Sequence, residues 1–201
     1  MQSDRIQFIL ASASPRRRQL LRQAGYRFEI VPSAVDEEAF ETAATDSVLL
    51  SKQLALAKAN EVAVRYPEYF VLGADTVVDD DGLIIGKPDD AAHAEAITRR
   101  LFSRPHKVIT GIALVCIAKK IEIIEADITT VYPRPLTEAQ ISDHIAGGNW
   151  QGKAGAYGIQ ETGDTFVERI KGSFTNVMGL PMERIQRLLE GLGVCAFSKE
   201  A

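Results

Sequence analysis

Two hydrophobic periods alternate along the chain. Short apolar runs at Ile6–Ala11, Phe28–Val31 and Tyr69–Val78 read as strands, and Leu83–Gly86, returning after Asp79-Asp80-Asp81-Gly82, completes a hairpin. A helical period follows Asp46, a natural N-cap, from Ser47 to about Arg65; Val48, Leu50, Leu54 and Ala57 mark its packed side and Tyr66-Pro67 ends it. A second helix opens at Asp89 or Asp90 and runs to about Phe102. Val108–Ala118 and Ile121–Tyr132 are long strands about a Lys119-Lys120 turn, and Thr137 with Gln140 is a capping box for a helix reaching Ile145. The glycine-rich stretch 147–180 predicts two short strands, around Tyr157 and Phe166, before a last helix from Pro181 to Leu189, closed by Gly191 or Gly193. Hairpins mixed with helices predict a single α/β domain whose sheet has both parallel and antiparallel pairs, long enough for two lobes on one sheet.

One junction breaks the ordinary polarity of such elements. Ser12-Ala13-Ser14-Pro15-Arg16-Arg17-Arg18 joins the first strand to a helix through Gln23, with Ser14 as N-cap and Pro15 at the first helical position. Three cations then crowd the end of the helix that already carries positive charge, at a cost of roughly 0.3–1 kcal/mol each, and a bound phosphate would reverse the sign. The alternative is that the arginines fan out into water. With hydrophobic residues at 46 %, charged residues at 25 % and a net charge of −4, no global excess of basic charge is available for long nucleic acid. Met1 to Asp4 is polar and acidic, and no apolar run approaches the roughly 20 residues of a membrane span, so a cytoplasmic location is expected. Cys116 and Cys195 form no metal-type pair, and His93, His106 and His144 are scattered. A metal would then be held by carboxylate oxygens, which suits Mg²⁺ or Mn²⁺.

Asp75 places one carboxylate in the middle of an apolar strand, where it needs a metal, a cation, a water to deprotonate, or backbone N–H groups. Asp79, Asp80 and Asp81 read as solvated turn residues. Lys58, one helical turn beyond Leu54, either snorkels to water or reaches inward to a ligand. The hairpin register decides Lys87: a three-residue turn pairs it with Asp75 at a common site, whereas a two-residue Asp81-Gly82 turn pairs it with Thr76 and makes it a surface charge. Asp36, Glu37 and Glu38 offer a carboxylate to share a cation with Asp75, or serve equally as the acidic first turn of a helix. Gly147 to Lys153 has P-loop spacing, but Ala154 replaces the magnesium-binding hydroxyl and a helix precedes it, which excludes that assignment. Gly172-Ser173 and Gly179-Leu180-Pro181 read as tight turns, with Ser173 and Asn176 open as ligand contacts.

Five blocks in order, Ser12-Ala13-Ser14-Pro15-Arg16-Arg17, Gly73-Ala74-Asp75-Thr76, Gly86-Lys87-Pro88, Lys153 to Gln160, and Gly172-Ser173 to Gly179-Leu180-Pro181, resemble the Maf family of nucleoside triphosphate pyrophosphatases. The resemblance implies the fold of the inosine triphosphate pyrophosphatases, an elongated mixed α/β structure with a long twisted sheet and a cleft between two lobes. It implies Asp75 as proton acceptor, Ser12, Ser14, Arg16, Arg17, Lys58 and Lys87 about the phosphates, and Glu37 with Asp75 as ligands of a Mg²⁺ or Mn²⁺ ion. Arg16, Thr76 and Gln160 are similar to the branch acting on dTTP and UTP, whereas the 7-methyl-GTP branch tends to carry Trp, Gln and Glu there. The implied reaction is attack of water on the α-phosphorus with release of pyrophosphate, extending to modified pyrimidine nucleotides in a house-cleaning role. Homodimerisation is a further expectation from the family. A nucleotide-binding regulator of cell division without turnover is the rival reading, and a phosphomonoesterase would release orthophosphate instead.

Overall fold

The computed structural model describes residues 6–41, 45–158 and 166–197. The strands are β1 (Phe8–Leu10), β2 (Phe28–Ile30), β3 (Val71–Asp80), β4 (Leu83–Ile85), β5 (His106–Cys116), β6 (Ile121–Pro133) and β7 (Val167–Lys171). The helices are α1 (Pro15–Gln23), α2 (Glu38–Glu41), α3 (Ser47–Arg65), α4 (Ala91–Leu101), α5 (Glu138–Ala146), α6 (Phe174–Val177) and α7 (Met182–Gly191). The strands form one mixed sheet in the order β2-β1-β3-β5-β6-β7, with β4 paired to β3 off this path. The sheet mixes parallel and antiparallel pairs, as expected from the sequence: β1, β2 and the start of β3 run parallel and the long strands antiparallel. No helix among the described residues is long and apolar enough to cross a membrane.

Strand β3 organises the molecule. One of its edges pairs with β5 from Val71 to Asp79. The other is shared: β1 takes Val71 and Leu72, and β4 takes Val78 to Asp80. Between them, Gly73 to Val77 face a gap in the ladder. Where β1 ends, the ladder is continued by a side chain: Ala11 N donates to Leu72 O at 2.8 Å, and two residues on Arg17 Nη1 donates to Ala74 O at 2.8 Å. The unpaired carbonyl is thereby satisfied without a strand.

Alternation along β3 assigns its two faces. Val71 and Val77 pack against α3, in clusters with Ala55 and Ala59 and with Leu50 and Leu54, whereas Leu72 and Ala74 pack with Leu20, Leu21, Ile185 and Leu189 of α1 and α7. A third core, with Ile97, Leu101, Val108, Val131 and Tyr157, fills the other lobe. Helix α3 lies unusually close to the sheet because Gly73 and Gly111 have no Cβ; a methyl at either would overlap the backbone carbonyl of Ala55 or Ser51. Its buried stripe includes the expected Leu50 and Leu54 but continues through Ser51, Ala55, Lys58, Ala59 and Val62, with Val48 and Ala57 only half-buried, because small residues set the approach.

The local predictions divide by how much tertiary structure they needed. Ser14, Asp46, Asp90 and Thr137 all cap helices, the last in a full capping box. The β3–β4 hairpin takes the two-residue register, Val78↔Ile85, with Asp81 and Gly82 both at positive φ (55° and 88°). Among the described residues, which break off after Gly158, no strand is found at Tyr157; Ala154–Ala156 form one 3₁₀ turn, with Gly155 at φ 74° against Val78 and Leu101. The strand expected around Phe166 begins at Val167. Asp79 and Asp80 are not solvated as the turn chemistry suggested: both are buried, Asp79 accepting from Ser47 and Asp80 from Arg100 and Arg104, and only Asp81 is exposed.

Candidate active site

A cavity of about 380 Å³ opens at the gap in the β3 edge. Because an edge rather than a face is exposed there, residues from both sides of the sheet reach it: Asp75 from the α3 face and Thr76 from the α1 face. Ligands of open α/β sheets bind in such crevices, beyond the carboxyl ends of parallel strands. Ser12, Ser14, Arg16 and Arg17 line it from the end of β1 and the start of α1, as the sequence predicts, and Lys58, Lys87 and Glu37 line the opposite wall.

Asp75 is 7 % exposed, and its Oδ1 accepts from Lys58 Nζ at 2.6 Å. Lys58 reaches inward rather than snorkelling, because α3 sits close over Gly73 and leaves the ammonium beside the strand. The same ammonium lies 2.8 Å from Glu37 Oε1, and Lys87 Nζ donates to Glu37 Oε2 at 2.7 Å. Burial opposes ionisation of Glu37, but the hydrogen bonds and charges of Lys58 and Lys87 outweigh it and pull its pKa down to about 2. Among the three adjacent acids, Glu37 is thus the one brought to Asp75; Asp36 is exposed, and the Glu38 side chain lies outside the described part. Lys87 follows the hairpin register that seemed to make it a surface charge, yet it lies beyond the end of β4, free of the strand's alternation, and turns to Glu37.

The three arginines of the first helix divide. Arg18 is exposed, as a solvated charge should be. Arg17 folds back: Nε donates to Gly179 O (2.8 Å), Nη1 to Ala74 O (2.8 Å) and Ser12 Oγ (3.2 Å), and Nη2 to Thr76 Oγ1 (3.1 Å). Four of a guanidinium's five N–H groups are so used. The phosphate contact expected of Arg17 is reduced to one remaining N–H, and its main work is to tie α1, β3 and the Gly179 turn into one wall. Burial lowers its pKa, Asp75 opposes that, Arg16 adds to it and Glu37 opposes it. Ser12 Oγ also accepts from Ser14 N at 3.2 Å, which leaves its single O–H to donate. Ser14 accepts from Arg17 N, as an N-cap.

Arg16 lines the cavity and makes no ion pair among the described residues. Next to it stands a residue the sequence reading did not assign: a Cβ placed on Gly158 would lie 2.8 Å from Arg16 Nη1 and 3.3 Å from the Lys153 side chain. Burial lowers the pKa of Arg16, and burial followed by the charge of Arg16 lowers that of Lys153. Arg16 and Lys153 thus stand side by side, with no ion pair to either among the described residues. The clue was Lys153 in the P-loop-like string, set aside with that motif. Tyr157, on the same wall, is fixed by His106 Nε2 at 2.6 Å from its hydroxyl, so two of the scattered histidines serve this segment, His144 holding Ala156 O at 2.8 Å. Ser173 caps α6 and donates to Glu183, and Asn176 is fully buried against Val108 O and Thr129 Oγ1, so both are structural. Thr76 meets Arg17 and Thr110 at the cavity wall, and Gln160 lies outside the described residues.

The carboxylates of Glu37 and Asp75 converge on a single cationic atom, so the same oxygens fit a small divalent ion, with substrate phosphates and water completing its shell. No group of three or more potential ligands occurs among the described residues.

Residues 7–192 match the family profile of Maf-like proteins. The chain belongs to the Maf family. It is 44 % identical over 192 residues to the dTTP/UTP pyrophosphatase of Symbiobacterium thermophilum, covering 96 % of this chain and 97 % of that one. It is 44 % identical over 187 residues to the enzyme of the same name from Geobacillus sp., covering 93 % and 98 %, and 40 % identical over 189 residues to that of Deinococcus radiodurans, covering 94 % of each. The Maf chain thus carries the fold and blocks that its sequence resembled.

Proposed function

We propose that this Maf protein is a nucleoside triphosphate pyrophosphatase acting in the cytoplasm on dTTP, UTP and modified pyrimidine nucleotides. The observation that carries the reading is Asp75, a buried carboxylate at a gap in the sheet edge, open to a cavity walled by Arg16, Lys58 and Lys87, with Lys153 beside Arg16. The names of its relatives point to the same substrates.

The triphosphate spans the cavity between the two cationic walls, its charge met by Arg16 and Lys153 on one side and Lys58 and Lys87 on the other. Asp75 accepts the proton of the water that attacks the α-phosphorus, and the lysines hold the phosphoryl oxygens as charge grows on the leaving pyrophosphate. A Mg²⁺ or Mn²⁺ ion held by Glu37 and Asp75 would supply Lewis acidity and lower the pKa of the attacking water. Arg17 acts through Thr76 and Ser12 by fixing their hydroxyls, and Gln160, with one amide donor and one acceptor, suits the edge of uracil or thymine. Turnover of a nucleotide panel with Mg²⁺, resolving monophosphate, pyrophosphate and orthophosphate, tests the reading. Pyrophosphate and monophosphate formed selectively from dTTP and UTP are expected; binding without turnover would favour a regulator, and orthophosphate alone a phosphomonoesterase.

A further inference from the structure

The Lys58 side chain is only 9 % exposed, and its ammonium stands 2.6 Å from Asp75 Oδ1 and 2.8 Å from Glu37 Oε1. Oxygens from two separate segments, the loop before α2 and the middle of β3, therefore meet at one positive charge. Their convergence serves a divalent ion equally well, but an ammonium and a metal cannot share the gap: both are cations, and each needs the same lone pairs. Lys58 cannot simply retreat into water either. It springs from the part of α3 that rests on Gly73 and Gly111, and its stem is enclosed. Withdrawing it from the carboxylates without a new anion would leave buried charge unpaired on both sides.

We propose that Lys58 is an internal occupant of the cation position. Without nucleotide it closes the Glu37–Asp75 gap to divalent ions, and it yields the gap only when a triphosphate offers oxygens to which its N–H groups transfer. The inference rests on the nucleotide reading above and adds an order to it: the ion enters with the triphosphate or after it, and Asp75 is released from Lys58 in the same exchange. Lys87 does not hold the position in its place, because it meets only the outer oxygen of Glu37 and its side chain is 54 % exposed, free to return to water.

The test is a titration of Mn²⁺ into the full-length protein, followed by loss of the free-ion EPR signal, first alone and then with α,β-imido-dUTP, which cannot be cleaved at the α-phosphorus. Lys58→Met is expected to bind Mn²⁺ alone at least about tenfold more tightly than the wild type, a difference of one decade in Kd. The analogue should bring the wild type to comparable affinity. Equal binding of Mn²⁺ alone by the two proteins overturns the occupancy of the gap by Lys58. Should Lys58→Met not fold, the ¹⁵Nζ resonance of Lys58 in the wild type answers the same question: Mg²⁺ alone should leave it in place and Mg²⁺ with the analogue should move it, and a shift with Mg²⁺ alone is the overturning result. Failure of the analogue to bind either protein overturns the nucleotide reading and, with it, the transfer of Lys58 to phosphate, whereas the metal-only comparison still judges the occupancy.

Discussion

Of the three buried carboxylates of strand β3, Asp75 and Asp80 are paired with cations, and they are built for opposite ends. Asp80 lies where β4 covers the strand's edge; its Oδ2 accepts from Arg100 and Arg104, whose side chains remain 44 % and 47 % exposed. Hydrogen bonds from Arg104 hold its pKa down, burial opposes them, and Arg100 adds to the lowering. Asp75 lies where the edge is open, and its cation is withdrawn from water. A cation that keeps half its hydration can rest on one partner indefinitely, whereas one enclosed beside a cavity must always have some anion, so its partner can be exchanged but not lost. Under the proposed function the Asp80 pair is scaffold and the Asp75 pair machinery.

That contrast can be broken by experiment. Asp75→Asn should lower kcat by roughly 100- to 10,000-fold, the span usual for a positioned general base, with the fold retained by circular dichroism; an active variant would make Asp75 a second structural acid. Asp80→Asn should do the converse, costing about 1–3 kcal/mol in urea denaturation, because charge-assisted hydrogen bonds to a fully enclosed carboxylate are lost, while kcat stays near that of the wild type.

Glu37 belongs to both categories and sharpens the comparison through pH. Its folded pKa, about 2, lies below the ordinary value of 4.5, so it adds stability that is fully present above about pH 4.5 and lost as pH falls toward 2. Discounted for partial exposure, wild type should exceed Glu37→Gln by about 1–2 kcal/mol at neutral pH without nucleotide or metal. The gap between their denaturation curves should close across that acid window; a constant gap would mean that Glu37 acts by packing. The smallest effect belongs to Lys153→Met, expected to raise KM for dTTP about fivefold with kcat nearly unchanged, since its charge meets ground state and transition state alike. An unchanged KM would leave Lys153 outside the substrate's reach.

What could be read from the sequence depended on how local the cause was. Ser14, Asp46, Asp90 and Thr137 cap helices through bonds three residues long; three were legible outright, and Asp90 as one of two neighbouring candidates with Asp89. Asp75 announced itself by polarity in an apolar run. Asp79 and Asp80 resemble turn residues in sequence because their partners, Ser47 of α3, Arg100 of α4 and Arg104 just beyond it, lie elsewhere along the chain. Arg17 and Arg16 are indistinguishable as a dipeptide; which one turns back is decided by the Gly179 and Ala74 carbonyls across the cleft. The hairpin correctly offered two registers, but Lys87 escaped the rule that connected register to role, because it stands past the paired residues. The segment leading to Tyr157 is apolar enough for a strand, yet Gly155 bends it into a 3₁₀ turn against Val78 and Leu101 of the third core.

The bare glycines beneath α3 give the cleft one fixed jaw. Backbone resting on backbone has no rotamers through which to yield, so the reach of Lys58 is calibrated by the seat of a helix rather than by the pose of a loop. The facing jaw, where Arg16 and Thr76 reach the cavity, is made of side chains and can adjust where the first cannot. A single methyl on Gly111 would act as a shim under the fixed jaw, mis-setting the lysine without touching any residue of the cavity.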